Sequence, residues 1–182
     1  YRPDRFKRTT IRLSYFNETV ADTIVKVQKN YYPGQTNRQA ALDISYRYQY
    51  INVSNITYPT SGYYSDLFLL KRIASRGQSI FQISAKQLYA KKLSTKSFLL
   101  FDATAAYKSP IDSVFSNSRL IGYGGMQLRG LEYYVVDGTA GIVCRNAFHF
   151  NVKNFTLTNP VPIKNHEKIP IRLYLKIFAD AG

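Results

Sequence analysis

The chain has a single cysteine, Cys144, so no intrachain disulfide can close and no cysteine-based zinc site can be built. The histidines number two, His149 and His166, too few and too separated for a metal cluster. No apolar run approaches the ~18 residues of a membrane helix. The best are LFLL at 67–70 and FLLF at 98–101. Helix-forming Ala-Leu-Glu-Lys blocks are missing, and the opening YRPDRFKRTT has no apolar segment of the secretory-signal kind. SNSRLIGYGG at 116–125 is glycine-rich but lacks a Gly-x-Ser-x-Gly elbow. Neither paired carboxylates nor a Ser-His-Asp order stands out. These absences point away from an enzyme, a cofactor or a metal. Acidic residues are also scarce: 11 against 25 Lys and Arg, a net charge of +14. Charge of one sign suggests an anionic partner. The sequence shows no compact basic-aromatic motif of the nucleic-acid kind, however, so no nucleic-acid partner is expected.

Strand formers are abundant, with 16 Tyr and 11 Phe alongside Thr, Ile and Val, and the expected class is all-β. A length of 182 residues suits one domain. The clearest alternation lies in KIPIRLYLKIFAD: Ile169, Ile171, Leu173, Leu175, Ile177 and Ala179 on one face, and the mostly polar Lys168, Pro170, Arg172, Tyr174, Lys176, Phe178 and Asp180 on the other. A period of two over this length places one face in an apolar medium and one in water. In QAALDISYRYQYI, Leu42, Ile44, Tyr46, Tyr48 and Tyr50 alternate with Asp43, Ser45, Arg47 and Gln49. In TTIRLSYF, Ile11, Leu13 and Tyr15 alternate with Thr10, Arg12 and Ser14. In GIVCRNAFHFNVK, Ile142, Cys144, Phe148, Phe150 and Val152 alternate with Arg145, His149, Asn151 and Lys153. Segments 62–73, 78–91 and 96–108 also read as strands, with less regular faces.

Short separators at 58–62, 75–78 and 92–95 fit hairpins, and longer links fall at roughly 28–38, 109–140 and 154–167. Strands of about ten residues whose connections alternate, short turns on one side and longer loops on the other, are the habit of a transmembrane β-barrel. The polar strand faces are too charged for a packed interior but suit a water-filled lumen. Arg12, Arg47, Arg145, Lys153, Arg172 and Lys176 are expected to line it. The alternatives are a passive porin-like channel and a soluble basic β-sandwich binding anionic polymers, whose strands would be shorter.

One stretch keeps no clean period: MQLRGLEYYVVDG, at 126–138, follows the Gly-rich GYGG. Its Leu128, Arg129, Gly130 and Leu131 resemble the loop motif of the BamA/TamA-type outer-membrane surface-antigen family, hydrophobic-Arg-Gly-aromatic. Leu131 departs from the aromatic the family prefers. The chain ends in FADAG, similar to the family's Phe-x-Asp-x-Gly, with Phe178, Asp180 and Gly182 in the right order.

The resemblance implies an antiparallel transmembrane barrel of roughly sixteen strands, of which residues 1–182 supply about seven as an internal piece. It implies that the loop at about 109–140 folds into the lumen and that Arg129 reaches Asp180. A guanidinium in a narrow lumen is held cheaply when a carboxylate takes its donors. Leu128, Leu131, Tyr133 and Tyr134 are expected to pack on lumen side chains, with Gly130 letting the backbone turn close by. His149 stands where family members often carry a carboxylate, and reads as a hydrogen-bonding lumen residue rather than a catalyst or ligand. The implied role is assembly, insertion or translocation of client outer-membrane proteins in the bacterial outer membrane, without chemical catalysis or cofactor. The implied partners are outer-membrane lipids, clients and periplasmic or lipoprotein accessory subunits.

Overall fold

A computed structural model describes residues 5–32, 34, 36–77, 79–109, 118–122, 126–131, 133–158 and 168–182. Of the stretches read above, residues 1–4, 33, 35, 78, 110–117, 123–125, Glu132 and 159–167, with His166, lie outside this set. The chain is all-β. Its elements in order are β1 (Lys7–Thr19), α1 (Asp22–Val27), β2 (Arg38–Val53), β3 (Gly62–Ala74), β4 (Ile80–Lys92), β5 (Ser97–Ser109), β6 (Arg119–Ile121), β7 (Val136–Asp137), β8 (Ala140–Thr158) and β9 (Lys168–Ala181). The seven long strands form one antiparallel sheet in the order β1-β2-β3-β4-β5-β8-β9, and β6 pairs with β7 in a small ribbon. The sheet is open: β1 and β9 are its two edges. The short helix α1 was not anticipated. It fills the link between β1 and β2 and has no buried residue.

The register separates the side chains into two faces. Ile11, Tyr46, Leu69, Ile83 and Tyr107 are successive partners across five strands. With Ile142, Phe148, Leu175 and Ile177 they make an apolar face. Ile11 is 75% exposed and Ile177 65%, and among the described residues nothing covers this face. The opposite face carries Thr10, Arg47, Phe68, Ser84 and Ala106 in register, and with them the charged residues of the strands. Buried apolar packing lies on this second side, where Leu120 and Met126 of the β5–β8 connection meet Val143, with Leu128 against them.

Two expectations about the strands are corrected. The first concerns the β8–β9 pair, whose register shifts between Asn151 and Lys153. One extra residue on β8 reverses the alternation beyond it. Lys153 therefore pairs with Leu173 on the apolar side instead of lining the polar face, and β8 runs on to Thr158. The second concerns the connections. The β1–β2, β3–β4 and β5–β8 connections leave one end of the sheet, and the β2–β3, β4–β5 and β8–β9 connections the other. Long and short connections occur at both ends.

The β2–β3 turn explains one glycine. Ser54 N–H donates to the Ser61 carbonyl at 2.9 Å, and Asn55 Oδ1 accepts from Thr57 N–H at 2.8 Å. The chain then re-enters the sheet at Gly62 with φ +112°. A Cβ there would press on the Asn52 carbonyl oxygen and lie 2.8 Å from Val53 Cα. Gly62→Ala combines a forbidden backbone conformation with a backbone clash. It is expected to lower stability by about 2 kcal/mol or more, read as a shift of the urea midpoint followed by circular dichroism.

Candidate functional site

The loop motif and the C-terminal motif meet on the polar face at β8 and β9. Asp180 lies opposite Arg145 in the β8–β9 register, on the same face as Phe178 and Lys176. Arg129 approaches it from the loop. Its Nε donates to Asp180 Oδ2 at 2.7 Å, its backbone N–H donates to the same oxygen at 3.1 Å, and its Nη2 pairs with Oδ1. Nη2 also donates to the Asn146 carbonyl at 3.0 Å. The guanidinium lies over the Phe178 ring, 4.5 Å from its centroid. The Asp180 side chain is 7% exposed and that of Arg129 24%. A fork-shaped cation, a nearly buried carboxylate and an aromatic plane complement one another in charge and shape.

The two motifs also touch apolarly. A Cβ on Gly182 would sit 3.3 Å from Leu128 Cδ1 and 3.2 Å from Val143 Cγ2, so this glycine makes room for the loop leucine. Gly130 makes the turn expected of it, but without close approach. It adopts φ +83°, yet nothing lies within 4 Å of where its Cβ would be. Its absent side chain permits the left-handed turn, not a close approach. Beyond that turn the chain leaves the sheet: Leu131 is 48% exposed and Tyr133 99%. The expected packing of Leu131, Tyr133 and Tyr134 on the polar face is therefore not seen. Leu131 N–H donates to the Leu128 carbonyl, and Tyr134 N–H to the Leu131 carbonyl, which keeps this arm in a local turn.

Arg145 donates from Nη2 to Asp102 Oδ2 at 2.6 Å, and Lys86 Nζ lies 3.6 Å from the same oxygen. Arg47 forks onto Asp66, which also accepts from Tyr64 Oη at 2.7 Å and Gln49 Nε2 at 3.1 Å. Arg72 forks onto Asp43 with two 2.8 Å bonds. Sequence reading missed Asp66 and Asp102 because both sit in strands with irregular faces. A lone acid within an apolar strand is the signal that marks them. Arg172 and Lys176 also lie on this face, opposite Asn154 and His149, without joining the Arg129–Asp180 pair through any direct bond among the described residues.

His149 is held from the opposite end of the sheet. Tyr58, in the β2–β3 turn, brings its hydroxyl to 2.7 Å from His149 Nδ1. Phe98 stacks on the imidazole at 4.5 Å, and Tyr174 completes the cluster 5.5 Å from Tyr58. Burial pushes the Tyr58 phenol above its ordinary pKa. In the β1–β2 link, burial and the hydrogen bond to Glu18 push Tyr32 up to about 12. His149 thus makes the hydrogen bond expected of it, but to a turn residue far away in sequence.

No group of His, Cys, Asp and Glu capable of holding a metal occurs among the described residues. What the arrangement does is mechanical: it fastens a loop and a turn to one strand pair. Comparison of the chain with protein-family models, curated proteins and solved structures gave no match.

The loop clamp is testable on its own. Arg129→Lys keeps the charge but loses the fork, and Asp180→Asn removes the carboxylate. Either change is expected to cost about 1.5–3 kcal/mol of loop docking. Limited proteolysis within 126–137 reads this as cleavage roughly tenfold faster or more. The double variant should be no worse than the poorer single one, since both remove the same bond. Tyr58→Phe leaves the His149 ring, 2% exposed, without its Nδ1 partner. It is expected to cost about 1–2 kcal/mol in a urea titration, with cleavage of the loop unchanged.

Proposed function

We propose that this sheet is part of a transmembrane barrel of the bacterial outer membrane that assembles, inserts or translocates other outer-membrane proteins. In this reading the polar face lines the lumen and the apolar face meets lipid. The observation that carries it is the docking of Arg129 on Asp180. A loop residue from one motif of the BamA/TamA type lies against the acid of the other, on the face that holds the ion pairs. The exposed band of Ile, Leu, Val, Phe and Tyr on the other face supports a lipid-facing wall. Lipid removes the need for a second sheet, which a soluble sandwich requires and which the described residues do not supply.

The clamp does no bond chemistry. Its role is to hold the loop at one place in the lumen, next to β8 and β9, so that the passage and strand edges nearby keep one shape. A client strand adds to an edge by backbone hydrogen bonding, and a loose plug would compete for the same space. Clients, lipids and accessory subunits are the partners of this reading.

A passive channel is the second reading, favoured by the charge of the polar face. Four of its acids, Asp43, Asp66, Asp102 and Asp180, have cationic partners, whereas Arg8, Arg12 and Arg172 have no ion-pair partner among the described residues. A groove of about 300 Å³ runs beside Arg8, Arg12 and Arg47. Such a surface draws small anions.

Two substitutions in the full-length protein separate the possibilities. Leu69→Arg puts a charge in the middle of the apolar face. It is expected to cost about 2–4 kcal/mol of folding into lipid vesicles, while Gln82→Arg on the polar face is tolerated. Equal tolerance of both rules out the lipid-facing wall. Arg129→Ala is expected to stop client assembly in reconstituted vesicles while expression and heat-shifted gel mobility persist. Client assembly at the wild-type rate, with only ion conductance altered, would favour the channel.

A further inference from the structure

A second cationic feature lies away from the clamp, where the β1–β2 and β3–β4 links meet at one end of the sheet. Lys26 and Lys29 from the first link and Arg76 from the second line a groove of about 530 Å³, with Thr36 and Asn37 on its wall. All three cationic residues are exposed. None has a hydrogen-bond or ion-pair partner among the described residues. The one acid of the groove, Asp22, already accepts from Asn37 Nδ2 at 2.8 Å. Three positive charges therefore face a small space with one engaged negative charge, and no other described residue compensates them.

The neighbouring end of the apolar face is also cationic. Along β3 the apolar-side residues run Leu67, Leu69, Lys71 and Ile73 towards the strand end at Ala74, and Lys71 lies opposite Ile44. An apolar strand face with one lysine near its end, and a cationic groove just past the strand ends, follows the order in which an anionic amphiphile is built: chains first, headgroup last. We infer that this groove binds the phosphate of a membrane-lipid headgroup, whose chains lie along Leu69 and Ile44. This rests on the lipid-facing reading of the apolar face. The phosphate chemistry does not: free phosphate offers the same oxygens to the same three cations.

The test uses the full-length protein in zwitterionic detergent micelles, titrated calorimetrically with short-chain phosphatidic acid, short-chain phosphatidylcholine and inorganic phosphate. Phosphatidic acid is expected to bind, and phosphatidylcholine is not. The triple variant K26Q/K29Q/R76Q is expected to weaken phosphatidic acid binding at least about tenfold, since each cation near a lipid surface contributes severalfold in affinity. A second triple variant, K91Q/K92Q/K96Q, removes equal charge at the other end of the sheet and is expected to bind like the wild type. Equal weakening by both triples, or by neither, overturns the site. Inorganic phosphate binding as tightly as phosphatidic acid overturns the lipid as its source. Should the protein prove soluble without detergent, the barrel reading fails. The inorganic phosphate arm then still decides the groove: loss of that binding in the first triple alone supports the phosphate site, and any other result overturns it. The single variant R76Q, lying in a short exposed link, gives the same comparison if the first triple folds poorly.

Discussion

Side chains on a strand alternate, and everything else in this molecule depends on that constraint. A pairing register is chosen once per strand pair, and a slip of one residue would carry a whole set of side chains to the other face. Here six successive registers agree. They place Asp43, Asp66, Asp102 and Asp180 on the same side as Arg47, Arg72, Arg145 and Lys86, where each acid can find a cation. They also strip the other side of nearly all charge. The cross-strand ion pairs then favour the register that made them possible, because any slip would separate guanidinium from carboxylate and set charges among Ile and Leu.

This division leaves no ordinary core. The most buried apolar side chain among the described residues, Val143, lies on the polar side, roofed by Leu120 and Met126 from a connection that turns back over the sheet. Arg129 and Leu128 extend that roof to the last strand. The cluster is small, so the loop's position depends on directional contacts as much as on apolar area. Three donor groups of one arginine converge on two carboxylate oxygens, and Phe178 closes off water from one side. Such a contact has one good geometry, whereas apolar packing of the same size tolerates several.

Much of this was legible in the sequence. Alternation in β1, β2 and β9 is strict, so strand, face and charge placement could be read directly. The association of Arg129 with Asp180 came from motif order, and its partners Phe178 and Gly182 came with it. Other features were illegible for identifiable reasons. Tyr58 reaches His149 across 91 positions, and no local pattern encodes that distance. The turn at Gly130 follows from the motif, whereas the open space around it does not. The helix α1 is six residues long, too short for a periodic signal. The arm after Gly130 is apolar in composition yet exposed, so composition alone misled.

The bulge between Asn151 and Lys153 behaves like a shift in reading frame. Upstream of it β8 writes its apolar residues in even positions, from Ile142 to Phe150. Downstream it writes them in odd ones, with Phe155 opposite Ile171 and Leu157 opposite Ile169. A straight strand would have turned those two side chains in among the charges. The extra residue thus lets two incompatible phases coexist in a single strand of 19 residues. It also makes that strand asymmetric towards change: removing the extra residue would merge the two phases into one with the pairings kept, whereas a one-residue deletion within either flank would carry the side chains beyond it to the other face.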